Sequence, residues 1–278
     1  EMSEDIKIEY YKNSYHLFKI LNDEDRLLFI LLELEKLNLK KELANKVYFA
    51  IGQIYYNRNS ASLSKEYFKN LEFYKKMHVD GYNLSNGKTR KPEDAYNGKS
   101  TLFFAKLIKE IITKNKINTM LDYGCGKGFF YKNPSNQNGL EITSLKNYWG
   151  IDIDLYDPCF EENSNLDENK DYDLVICVDV LEHIPTNDID WVLEKLLTKA
   201  KKYLFINVAC HPAIALLPNG NNAHVNVQPP KWWHEKILNF QDKIKNIKIV
   251  CMCTIKENGK FQYFPLQYND KLTNYSSK

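Results

Sequence analysis

One ten-residue stretch, Thr119 to Gly128, constrains this chain more than any other. It reads Thr-Met-Leu-Asp-Tyr-Gly-Cys-Gly-Lys-Gly, a short apolar run that ends in an acid and three alternating glycines. Glycine lets a backbone turn sharply and approach another group without a Cβ in the way. Gly124, Gly126 and Gly128, with Cys125 held among them, therefore mark a strand-to-helix crossing over which a ligand binds. A second apolar run ends at Asp157. A third leads into Asp179-Val180-Leu181-Glu182-His183, the order that a nucleotide-binding type of α/β fold requires.

Apolar runs at Thr119–Tyr123, Asp152–Tyr156, Leu174–Val178, Tyr203–Val208, Ile247–Cys253 and Phe261–Leu266 alternate with stretches of helical period. Alternation of this kind predicts an α/β fold with a Rossmann-like, mostly parallel sheet covered by helices. Only Glu257-Asn258-Gly259 separates the last two runs, which predicts a C-terminal antiparallel hairpin. A helix is expected from a cap near Ser100 to about Lys114.

Before this domain, Ser14 to Met77 carries leucine, isoleucine and aromatic residues at three-to-four spacing, with polar breaks at Asn22-Asp23 and Asn57–Ser60. This helical region, residues 1–95, serves as a packed appendage, a lid over the substrate or a homodimer surface; residues 96–278 form the second module. Val79 to Lys99, with Gly81, Gly87, Pro92 and Gly98, reads as the linker, and its Lys88, Arg90 and Lys91 form a small basic cluster.

The charge of +2, from 38 basic and 36 acidic residues, gives no broad footprint for nucleic acid or an anionic membrane and favours a small-molecule partner. No apolar run reaches bilayer length and no basic-then-apolar leader is present, so the chain is expected in the cytoplasm, away from membranes. The six cysteines lack paired C-x-x-C spacing; reduced thiols are expected, with Cys251 and Cys253 on one face of a strand as a core pair, and no metal site.

The glycine loop, the Asp157 ending and the Asp179-to-His183 stretch together resemble the class I S-adenosylmethionine-dependent methyltransferases. The resemblance covers roughly Gly98 to Leu266. It implies S-adenosyl-L-methionine as cofactor and S-adenosyl-L-homocysteine as product, with the loop amides cradling the cofactor's amino-acid portion. Asp122 would support the methionine moiety. A carboxylate after the second strand would take the ribose hydroxyls; Asp157, before Pro158, is favoured over Asp152 in Trp-Gly-Ile-Asp. Asp179 and Val180 would wall the methyl-donor pocket, and His183 is read as structural. The acidic segment that contacts adenine is not recognisable, although Asn165, Leu166 and Asp167 lie in the right interval.

Loops after the later strands face the donor sulfur in such a sheet, which makes His211 and His224 candidate bases for a hydroxyl or amine. The Asp/Asn-Pro-Pro-Tyr/Phe signature of nucleobase methylation is absent, so oxygen is the expected acceptor atom. Asp-Tyr-Gly-Cys-Gly-Lys-Gly, Tyr-Asp-Pro and Asn-Gly-x-x-Ala-His are also similar to bacterial methyltransferases that modify surface carbohydrate or capsule, which implies a sugar-type or phosphorylated acceptor. An RNA methyltransferase and a nucleotide-cofactor oxidoreductase are the alternatives. Of Trp232 and Trp233, one is expected in the core and the other over the pocket.

Overall fold

The computed structural model describes residues 64–137, 139–240 and 246–268, together with 7, 8, 10–12 and 34. The chain divides into two compact units, Glu1–Glu66 and Tyr67–Lys278. The helices that the sequence predicts before Ser64 fall on residues outside the described ones, Leu34 excepted. The chain then runs through α1 (Ser64–Asp80), a small hairpin of β1 (Tyr82–Asn83) and β2 (Thr89–Arg90), α2 (Lys99–Phe103), α3 (Ala105–Asn115) and β3 (Thr119–Tyr123). Next come α4 (Phe129–Lys132), a second hairpin of β4 (Ser135–Gln137) and β5 (Leu140–Ile142), α5 (Leu145–Trp149) and β6 (Asp152–Tyr156). The remainder is β7 (Tyr172–Val178), α6 (Ile189–Lys199), β8 (Ala200–Ala209), α7 (Pro230–Leu238), β9 (Lys248–Glu257) and β10 (Lys260–Tyr268).

Six of these strands form one sheet in the order β10-β9-β8-β7-β3-β6. Every neighbouring pair is parallel except β9 with β10. Successive side chains of β7 enter opposite cores. Val175 and Cys177 join α6 and α7 on one face, while Leu174, Ile176 and Val178 join α3 and α5 on the other. A strand buried on both faces has no polar alternation, which is why these runs are nearly continuous in apolar residues. α6 is amphipathic in the ordinary way, with Ile189, Val192, Leu193, Leu196 and Leu197 all buried.

The sheet matches the predicted strands closely, and the Asn258-Gly259 turn closes the hairpin with both residues at positive φ. The predicted helix at Ser100 is instead two, broken at Phe104. Its start is capped by Gly98 in the left-handed region, leaving the Ser100 hydroxyl for another partner. The linker carries the β1–β2 hairpin, and the interval from Phe129 to Gly150 holds the β4–β5 hairpin, which the sequence leaves undivided. No strand forms at Asn165–Asp167. Trp233 is wholly buried and Trp232 packs against the same cluster, so neither roofs the cleft described below. Cys251 and Cys253 are the expected core pair, their sulfurs 4.0 Å apart. Among the described residues no helix is long and apolar enough to cross a membrane.

Truncating Leu196 to Ala empties volume in a wholly buried position and should cost about 2–5 kcal/mol. Lys106→Ala, on the exposed side of α3, should stay within about 0.5 kcal/mol. Urea denaturation of both variants checks the assignment of inside and outside.

Candidate functional site

The loop after β3 is fastened to the end of β6 and to the segment before α2. The Tyr156 carbonyl accepts from the Gly124 and Cys125 amides at 2.7 and 3.1 Å. Asp157 Oδ2 accepts from the Gly126 amide at 2.8 Å, and its Oδ1 accepts from the Cys159 amide at 2.8 Å. The Tyr96 carbonyl accepts from the Lys127 amide at 2.7 Å, and that of Cys125 from Gly128 at 3.1 Å. Every amide from Gly124 to Gly128 therefore has an internal acceptor. The loop amides expected to cradle a ligand's amino-acid portion are thus engaged within the chain, and Gly124, Cys125 and Gly126 line the cleft with their backbone.

The glycines are needed against the chain itself. A Cβ on Gly126, at φ +59°, would lie 2.2 Å from the Tyr96 carbonyl oxygen, and one on Gly124 would lie 2.3 Å from a Val180 methyl. Tyr96 is itself at a positive φ of 48°, an uncommon strain for an aromatic residue that the loop contact holds in place.

Above this loop lies a half-open cleft with about 910 Å³ of empty space, its open mouth included. Its walls combine Gly124–Gly126, Asp157–Cys159, Val178–Val180 and His183 with one face of α1. That face presents Tyr67, Asn70, Leu71, Tyr74 and His78, spaced three, four, seven and eleven residues from the first. Among the described residues no lysine or arginine lines the cleft.

Asp179 ends β7 at a positive φ of 62° and accepts from the Ser100 hydroxyl at 2.7 Å. Burial alone would raise its pKa, but His183, His224 and Ser100 together hold the carboxyl below its ordinary value, so it is an anion. Beside it Glu182 is fully buried. Its Oε1 accepts from the Ala209 amide at 2.6 Å, and burial followed by the charge of Asp179 keeps this carboxyl protonated far above the usual range. Asp179, Glu182 and His224 bring ligand-type atoms within 4.8 Å of one another, the one such group among the described residues.

His183, read from sequence as structural, lines the cleft. Its Nδ1 lies 2.9 Å from the Ala223 carbonyl, which can only accept, so Nδ1 carries the hydrogen and Nε2 keeps its lone pair. Burial lowers its pKa, more than Asp179 raises it. His224 is set one ring behind, 4.9 Å from His183 between centroids and off the cleft wall. Its Nδ1 donates to the His211 carbonyl at 2.6 Å, and burial, aided by His183, lowers its pKa to about 4. The His211 ring packs against Phe261, away from the cleft wall.

The remaining sequence candidates separate. Asp157 lies at the loop, as favoured. Asp152 is exposed at the opposite end of β6, paired with Thr119 and bridged to Lys170 at 3.6 Å. Asp122 is 1% exposed beneath the loop and accepts from the Tyr131 hydroxyl at 2.6 Å, not on the cleft wall. Ser100, Asn70 and His78 belong to the cleft and were not singled out; the signal available was the spacing of polar and aromatic residues along α1.

Two outcomes follow. Gly126→Val should destabilise the loop outright, because the collision is with backbone; near-normal melting of this variant would contradict it. Burial pushes the Asp122 pKa up to about 7, against the pull of the Tyr131 hydrogen bond. The folded chain thus holds this proton more tightly than the unfolded one, and the stability it adds below about pH 4 is lost as pH rises through about 7. Asp122→Asn should flatten that decline, by up to about 1.4 kcal/mol per pH unit, in denaturation curves between pH 4 and 8.

Residues 96–239, just over half of the chain, match a protein family described as a methyltransferase domain. No curated protein and no solved structure matches the chain. The matched span contains the glycine loop, Asp157 and the whole Asp179–His183 turn, while α1 precedes it: the chain belongs to the methyltransferase-domain family.

Proposed function

We propose that this methyltransferase moves the methyl group of S-adenosyl-L-methionine onto a hydroxyl oxygen of a small polar acceptor, leaving S-adenosyl-L-homocysteine. The observation that carries this reading is the balance of hydrogen-bonding groups in the cleft. All loop amides are occupied internally, no cationic side chain among the described residues lines the walls, and the carboxylates of Asp157 and Asp179 face in. Such a site suits a ligand that is cationic and rich in donors. The adenosyl donor has an ammonium group, two ribose hydroxyls and a positive sulfur, whereas a dinucleotide brings a pyrophosphate that needs N–H donors. The nicotinamide reading is weakened on the same ground.

Asp157 has lone pairs beyond those used by Gly126 and Cys159 and would take the ribose hydroxyls. Asp179 and Val180 would flank the methionine portion next to Gly124. Bound here, the cofactor supplies a methyl group on a sulfur that leaves as a neutral thioether. The chain's part is to exclude water, align the acceptor oxygen and receive its proton at Nε2 of His183, with the Asp179 carboxylate stabilising the imidazolium. His224, set behind His183, and His211, whose carbonyl fixes His224, support this ring; the sequence had placed the proton transfer on them. Among acceptors of the surface-carbohydrate or capsule type, the lack of cations favours an uncharged sugar hydroxyl over a phosphorylated one. We assign residues 96–278 as the methyltransferase domain and 1–95 as its lid or a dimer surface.

Calorimetry should give micromolar affinity for S-adenosylmethionine and S-adenosylhomocysteine and none for NADH; binding of NADH alone would overturn the assignment. With a methyl glycoside or phenol that is turned over, His183→Gln should slow transfer by about a hundredfold or more at nearly unchanged cofactor affinity. His224→Ala should cost less, and equal or greater loss in that variant would return the proton transfer to His224.

A further inference from the structure

α1 has no place in the mechanism above, yet it holds two polar groups that nothing among the described residues satisfies. Asn70 and His78 are 7% and 5% exposed, both line the cleft, and Asn70 Nδ2 and His78 Nδ1 have no hydrogen-bond partner. A buried amide without a partner costs stability, commonly about 1–3 kcal/mol, so a folded chain keeps one where something else completes it. The neighbours on the same face are satisfied: the Tyr74 hydroxyl donates to the Ala223 carbonyl at 2.8 Å. The His78 ring is fixed by stacking between Tyr96, at 4.7 Å, and Phe160, at 5.6 Å. Packing thus holds this imidazole in place without occupying its Nδ1.

The balance of groups adds a direction. The glycine loop donates nothing outward and the walls carry no cation among the described residues, so the Asn70 amide is an unused donor in a cleft otherwise rich in acceptors. An adenosyl cofactor needs donors at two places, its carboxylate and its adenine ring nitrogens. We propose that α1 is a ligand-binding element in which Asn70 donates to an acceptor atom of the adenosyl cofactor and His78 makes a second polar contact with the same ligand. The proposal rests on the adenosyl reading of the cleft, and it makes α1 a binding wall as well as a cover.

The test uses the full chain and four variants: Asn70→Leu, Asn70→Ala, His78→Phe and, as control on the outer side of α1, Lys76→Ala. Removing an unsatisfied buried group should leave the ligand-free melting temperature of Asn70→Leu unchanged or higher, while S-adenosylhomocysteine affinity falls about ten- to a hundredfold. Asn70→Ala guards against a leucine that is too large. His78→Phe keeps the aromatic stack and should weaken binding with the fold intact; Lys76→Ala should change neither. Titration with 5′-methylthioadenosine, which lacks the amino-acid portion, separates the two acceptor sites. A loss seen with both ligands places Asn70 at adenine, and a loss seen only with S-adenosylhomocysteine places it at the carboxylate. Lower ligand-free melting of both Asn70 variants at unchanged affinity would overturn the proposal by giving Asn70 a structural role. If the unaltered chain bound neither ligand, the adenosyl reading would fall; a raised melting temperature of Asn70→Leu would then still mark Asn70 as kept for a ligand, and a lowered one would end that idea too.

Discussion

The Asp157 carboxylate is the fastening on which the site depends. Its two oxygens accept from the Gly126 and Cys159 amides, so one side chain joins the loop after β3 to the turn after β6. Burial raises its pKa, and the backbone amides of Cys159, Gly126 and Phe160 pull the other way. The adjacent Tyr156 carbonyl adds two more bonds to the same loop. With the loop amides used up in this way, the floor of the cleft is left with little to give an anion. That single fact underlies both the proposed preference for a cationic cofactor and the proposed use of α1 as a source of donors.

Much of the fold was legible because its strands are buried on both faces. Continuous apolar runs at β3, β6 and β7 leave few other arrangements, and Asn258-Gly259 determines its own turn. The choice between Asp152 and Asp157 was harder, since each follows a credible strand ending. Register sets the two apart in space. Tyr156 lies opposite Tyr123, and Asp152 opposite Thr119. Five residues along a strand is roughly 16 Å, enough to put Asp152 at the far edge of the sheet.

What stayed hidden depends on three-dimensional company. Ser100 looked like a helix cap, but Gly98 does that work and the hydroxyl is spent on Asp179. His183 and His224 are alike in composition and in the carbonyl that fixes each ring; only the cleft wall separates them. Asn70 and His78 read as ordinary polar positions of an amphipathic helix, and nothing in a one-dimensional pattern says that their side chains are buried without partners. Asp122, two residues before the glycines, was expected to serve the ligand and instead turns down to Tyr131.

Amide hydrogen exchange with and without S-adenosylhomocysteine tests the central claim most directly, because it reports where a ligand binds as well as whether it does. The account predicts slowed exchange in three separate stretches, Gly124–Gly128, Cys159–Phe160 and Asp179–His183, together with α1 from Tyr67 to His78. Slowing confined to the far edge of the sheet around Asp152, or none in a folded chain, would contradict it.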